Sequence, residues 1–116
     1  MVTTVSFVGL GAMGFAMAKR LAEKQRRVVG YDIDPGAVAR LEAAGGHGAK
    51  SAAEAAAQGD VLILLVVNAE QAEAVLFDDG ALEALPRGKA VILMATCAPA
   101  RVEAIAERVE AAGRRF

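Results

Sequence analysis

The sequence is short of the residues that do most covalent and metal chemistry. It holds one cysteine, Cys97, and one histidine, His47, among 116 residues. A single cysteine excludes an intrachain disulfide and fits a reducing cytoplasm. His47 stands alone, with no cysteine or carboxylate cluster at ligand spacing, so no metal site is expected. Cys97 reads as a buried, unreactive thiol and His47 as a surface turn residue. No run approaches the ~18–20 apolar residues that span a bilayer. A secretory leader is not expected, because no basic residue precedes the apolar stretch Val5–Leu10, which glycines cut short. Strong charge of either sign is missing as well. A formal net charge of −1 gives no general attraction to nucleic acid or anionic membrane. The expectation is one soluble cytoplasmic domain without nucleic-acid or membrane partners.

What the chain does have is apolar material, 55% of its residues against 23% charged, an ordinary globular balance. Two periodicities alternate. Val5–Val8, Val28–Tyr31, Val61–Val67 and Ala90–Met94 are short and wholly apolar, as suits strands buried on both faces of a parallel sheet. Helical spacing fills the intervals: Met13, Met17 and Leu21; Val38 and Leu41; Ala72, Val75 and Leu76; Val102, Ile105, Ala106 and Val109. Met13 and Met17 read as core. Asp34-Pro35 predicts an N-cap followed by proline at the first helical position. Ser51–Glu54 fits a capping box, and Asn68–Gln71 a looser one. The pattern predicts an α/β fold, a doubly wound parallel sheet of Rossmann type with strand order 3-2-1-4-5. A short third strand is expected near His47–Lys50, and Arg114–Phe116 reads as the approach to a further strand.

The chemistry-bearing motif is Gly9-Leu-Gly-Ala-Met-Gly14. It follows a predicted strand and opens a predicted helix, and Asp32 lies 23 residues past Gly9 at the end of the second apolar run. That is the context a dinucleotide fingerprint requires, within a unit of ~30 residues. Gly9 would allow the sharp turn, Gly11 the close approach of a pyrophosphate, and Gly14 tight packing of helix on sheet. The backbone N–H groups of Ala12 and Met13 would face the phosphates with the helix dipole behind them. A packing turn without a ligand is the plain alternative. An adenosyl-dependent methyltransferase would want an acid near the end of strand one, where Phe7 and Val8 stand. Asp32 can accept hydrogen bonds from both ribose hydroxyls of NAD and would repel a 2′-phosphate. NADP would want an arginine just beyond, where Ile33 stands. NAD is favoured over NADP.

Val8–Gly14, followed by Met17-Ala18 and Leu21, resembles the N-terminal signature of the β-hydroxyacid dehydrogenases. That family includes 3-hydroxyisobutyrate dehydrogenase, tartronate semialdehyde reductase and the N-terminal domain of 6-phosphogluconate dehydrogenase. The resemblance continues through Tyr31-Asp32 with Pro35, Asp60–Ile63, Glu73–Phe77 and Ala95-Thr96 with Pro99. The segment Val66–Gln71 is most similar to the branch acting on four-carbon sugar acids such as L-threonate.

The resemblance implies a cofactor site of Gly9, Leu10, Gly11, Ala12, Met13, Gly14, Asp32, Val66, Val67, Gln71 and Thr96. Val66-Val67 stands where members usually have Leu-Pro along the adenosine side. Gln71 is either a cofactor contact or an N3 capping residue. Thr96 would reach the nicotinamide end, with Ala95 in place of the hydroxyl residue that usually precedes it. Gln25 replaces the glycine that ends the family's first helix. A left-handed residue there would cost about 1 kcal/mol, so this helix is expected to end differently.

The resemblance also places the catalytic lysine and the substrate loop beyond Phe116, which makes residues 1–116 an N-terminal dinucleotide-binding domain inactive by itself. Lys19, Lys24 and Lys50 read as exposed, and Lys89 as preceding a strand. The implied whole protein is an NAD-dependent dehydrogenase of a small 3-hydroxy acid, homo-oligomeric when complete. A standalone NAD-sensing module without catalysis is the alternative.

Overall fold

In the computed structural model, which describes residues 3–95 and 97–116, each apolar run becomes a strand. β1 (Thr4–Val8), β2 (Arg27–Tyr31), β3 (His47–Gly48), β4 (Val61–Leu65) and β5 (Ala90–Met94) lie in the order β3-β2-β1-β4-β5. All four pairings are parallel. This is the expected order. His47 sits exposed in the two-residue edge strand rather than in a turn. β1 is central and buried along its whole length, which is why its residues are apolar or small, with Ser6 buried among Val5, Phe7 and Val8.

Among the described residues, six α-helices cover the sheet: α1 (Ala12–Glu23), α2 (Pro35–Ala43), α3 (Ala52–Ala57), α4 (Ala69–Glu73), α5 (Ala81–Ala84) and α6 (Pro99–Ala111). Val5, Phe7, Val28 and Ile63 pack with Ala18, Ala37 and Leu41 of α1 and α2 on one face. On the other, Val8, Leu62, Leu64 and Val91 meet residues of α3 to α6, including Ile105 and Val109 from the expected stripe. The alanines of α3 have a packing reason. Ser6 Oγ donates to the carbonyl of Ala55 at 2.6 Å, so this helix backbone rides close on β1, with Ala55 and Ala56 fully buried.

The helix starts follow the chemistry of their first residues. Asp34 accepts from Gly36 N–H, Ser51 Oγ from Glu54 N–H, and Asn68 Oδ1 from Gln71 N–H. Two helices depart from expectation. The stripe Ala72, Val75, Leu76 is helical, but after Glu73 the turn widens to a π-helical segment, Ala74–Asp78, and Asp79 N–H bonds Ala74 O at 2.8 Å. Arg108 stacks over Phe77 of this segment, 3.5 Å from its ring centroid. The end of α1 is the second departure. Gln25 adopts φ +63°, its N–H bonds Ala22 O, and Arg26 N–H reaches back to Leu21 O. These are the two bonds of a Schellman motif, so the helix keeps the left-handed ending without glycine. Gln25→Gly is therefore expected to raise stability by about 0.5–1 kcal/mol. A urea midpoint that stays put or falls would contradict this.

The approach to a further strand is present: Arg115 pairs in parallel with Ala90 of β5. At the opposite end of β4 from the crevice described next, Lys89 contacts Asp60 at 2.8 Å. That ammonium, with the Thr4 N–H, holds the Asp60 carboxyl below its ordinary range. Among the described residues, no helix is long and apolar enough to cross a membrane.

Candidate functional site

Strand order reverses at β1: the chain runs outward through β2 and β3, then crosses back to β4 and β5. In open α/β sheets this switch point leaves a crevice at the carboxyl ends of the strands. The glycine motif lies there.

The three glycines serve different ends. Gly9 turns the chain out of β1 at φ +102°, and a Cβ on it would lie 2.1 Å from the carbonyl oxygen of Leu65. Gly14 is buried in the first turn of α1, where a Cβ would lie 2.3 Å from Gly9 O. Both are demanded by the protein itself. Gly11 is different. It is the N-cap of α1, with φ −66° and ψ −170°, a conformation open to any residue, and a Cβ there would meet nothing within 4 Å. No side chain caps α1. The first N–H groups of a helix lack intrahelical partners, so those of Ala12 and Met13 are left to whatever occupies the crevice. Both residues are exposed.

Met13 corrects an expectation: it is 65% exposed, not core, whereas Met17 is half-buried. Leu10 is the reverse. Its side chain is wholly buried, it lines neither half of the crevice, and its backbone N–H donates to Asp32 Oδ2 at 2.7 Å. Asp32 Oδ1 also accepts from Asp34 N–H at 2.9 Å. The carboxylate stands at the end of β2, beside Ile33, which is 89% exposed.

The crevice has two halves. The larger, about 580 Å³, is lined by Gly11–Gly14, Leu65–Val67, Met94 and Ala95. The smaller, about 370 Å³, is lined by Gly9, Tyr31, Asp32, Ile33, Gln71 and Asp79 among others. Leu65, Val66 and Val67 line both and form the ridge between them. Gln71, at the third position of α4, turns its Oε1 back to accept from Val67 N–H at 2.9 Å, one residue before the N-cap Asn68, and it also lines the smaller half. Thr96 lies outside the described residues. Cys97 is half-buried against the α6-side core.

Sequence reasoning missed Leu65 and Met94, although each ends a strand at the switch point and that position could have signalled them. Val75 and Asp79 also line the smaller half; the first lies in the π-helical segment and the second just after it, and no motif for that segment stands in the sequence. No lysine lines either half, and no metal-ligating cluster is present, among the described residues.

A doubly wound sheet with an uncapped, glycine-led helix at its switch point and an acid on the neighbouring strand defines a dinucleotide-binding domain. The chain belongs to the family described as the NAD binding domain of 6-phosphogluconate dehydrogenase, which matches residues 4–116. It is 42% identical to an L-threonate dehydrogenase of Cupriavidus necator, over 94% of this chain and 37% of that protein. It is 33% identical to a 3-hydroxyisobutyrate dehydrogenase of Pseudomonas aeruginosa, over 96% and 38%. The structure of the Mycobacterium tuberculosis 3-hydroxyisobutyrate dehydrogenase with L-serine superposes with a TM-score of 0.92 at 30% identity, over 99% of this chain and 39% of that one. The chain thus spans little more than a third of the length of these relatives.

Proposed function

We propose that the chain binds NAD in preference to NADP, adenosine in the half beside Asp32 and nicotinamide in the half beside Met94 and Ala95. The whole protein would be a cytoplasmic oxidoreductase acting on a small 3-hydroxy acid of the threonate or 3-hydroxyisobutyrate kind. The observation that carries the cofactor reading is Gly11. Nothing in the fold requires glycine there, yet the missing side chain leaves the N-terminus of α1 open to the crevice. A pyrophosphate fits that opening, with backbone N–H donors and the positive end of the helix dipole against it.

When bound, the nicotinamide would supply or accept the hydride. The residues of this chain would hold and orient it. Ala12 and Met13 would donate to the phosphates, and Val66 and Val67 would separate the two halves. Asp32 would accept from the adenosine ribose hydroxyls and, through its charge, disfavour a 2′-phosphate. Among the described residues no lysine lines the crevice, and in this reading the proton donor to substrate would come from elsewhere in the whole protein.

Calorimetric titration of the wild-type chain and Gly11→Val with NAD and NADP tests this. Gly11→Val is expected to stay within about 1 kcal/mol of wild-type stability, the scale of an N-cap change. Its NAD affinity should fall roughly ten- to hundredfold, the worth of one or two lost charge-assisted hydrogen bonds. A valine variant that binds NAD as tightly as wild type would overturn the phosphate placement. Tighter binding of NADP than NAD would overturn the preference.

A further inference from the structure

Asp32 does more in this structure than present a carboxylate to the crevice. Its Oδ1 accepts from the N–H of Asp34, two residues on, which is the local turn that sets the orientation of the group. Its Oδ2 reaches across to the neighbouring unit and accepts the N–H of Leu10 at 2.7 Å, a bond between residues 22 apart in sequence. Leu10 lies between Gly9 and Gly11, in the stretch that aims the N-terminus of α1. The loop is tied to β2 in two places. Gly9 N–H bonds Tyr31 O at 3.0 Å, continuing the β1–β2 ladder. The Leu10–Asp32 bond is the tie made by a side chain.

From this geometry we infer that Asp32 is also a positioning residue, a latch that holds the β1–α1 loop against β2 so that the Ala12 and Met13 amides stand ready for phosphate. The inference rests on the proposed function, because what the latch positions is the phosphate site of that reading. The physical case is direct. Gly9 and Gly11 flank this loop position, and glycine loses more backbone freedom on ordering than any other residue. An ionised acceptor makes a shorter and stronger hydrogen bond to a backbone N–H than a neutral one. Each carboxylate oxygen has a second acceptor site, so the latch and the ribose hydroxyls do not compete for the same lone pair.

The two roles pull NADP binding in opposite directions, which makes them separable. Removing the charge relieves repulsion of a 2′-phosphate. Removing the acceptor loosens the amides that grip the pyrophosphate of either dinucleotide. Asp32→Asn removes the charge and keeps one oxygen, which can accept from Leu10 N–H once the amide NH2 takes the Asp34 side and gives up that bond. Asp32→Ala removes both. A pure ribose reader would let the two variants gain NADP affinity alike.

The experiment is amide hydrogen exchange at Leu10 in the unliganded wild-type, Asp32→Asn and Asp32→Ala chains, with calorimetric titration of each by NAD and NADP. The latch predicts that Leu10 is protected in wild type and Asp32→Asn and exchanges at least tenfold faster in Asp32→Ala. It also predicts that Asp32→Asn binds NADP more tightly than wild type does, and about tenfold more tightly than Asp32→Ala does. Equal NADP affinity in the two variants, with NAD binding by wild type intact, overturns the latch alone. Equal Leu10 exchange in wild type and Asp32→Ala does the same. A wild-type chain that binds neither dinucleotide overturns the proposed function, and the positioning role with it. Should Asp32→Ala fail to fold, Asp32→Ser takes its place. Its hydroxyl can still serve the Asp34 turn but is too short to reach Leu10.

Discussion

Gly9→Ala is expected to cost about 3–5 kcal/mol, a large share of the ~5–15 kcal/mol that holds a domain together. Two effects add. At φ +102° an L-residue meets its own carbonyl, worth about 1–2 kcal/mol. The new Cβ would then stand 2.1 Å from Leu65 O. That atom is backbone at the end of β4, so relief requires the loop or the strand to move, at a further 1–3 kcal/mol or so. Gly45→Ala is the control. Its φ is +100°, but a Cβ there meets nothing within 4 Å, so it should show the backbone effect alone. Urea denaturation of the two variants separates the terms. Equal losses would mean that the β1–α1 loop does not abut β4.

The contrast among Gly9, Gly11 and Gly14 shows what the sequence could and could not disclose. The strand–glycine–helix–acid order was legible because each part is local: an apolar run, a turn residue, a helical stripe and an acid at the end of the next run. The caps at Asp34, Ser51 and Asn68 were legible for the same reason, since each bond spans two or three residues. Met13 was not. Its four-residue spacing from Met17 points to the core, but the first turn of α1 stands at the crevice beyond the sheet edge, and the side chain emerges there. Gln25 was misjudged on a local cost of about 1 kcal/mol. Two capping hydrogen bonds and the return of the chain into β2 outweigh it. The bond from Leu10 N–H to Asp32 lies furthest from sequence reading, because those two residues, 22 apart, become partners only when β1 and β2 lie side by side.

Leu10→Ala is expected to lower stability by about 3 kcal/mol, although Leu10 sits inside a ligand-binding motif. Its side chain is fully buried and packs over Gly30 of β2 together with Leu41 of α2. A Cβ on Gly30 would lie 3.1 Å from Leu10 Cδ1 and 2.5 Å from Leu41 Cδ2. Truncation removes that contact and leaves a cavity under the β1–α1 loop, the situation in which Leu→Ala substitutions cost about 2–5 kcal/mol. Whether the middle residue of Gly-Leu-Gly points into the crevice or the core is decided by these two partners, both from the β2–α2 unit that follows it. A double-mutant cycle reads that dependence. Gly30→Ala crowds Leu41 and Leu10 in the wild-type background and should destabilise. In Leu10→Ala, the vacated space lets Leu41 shift, so the same substitution should cost less, with a coupling in the range of about 0.5–3 kcal/mol expected for residues in contact. Additive losses would place Leu10 outside that core, and the fingerprint would then have to be read with its leucine facing the ligand.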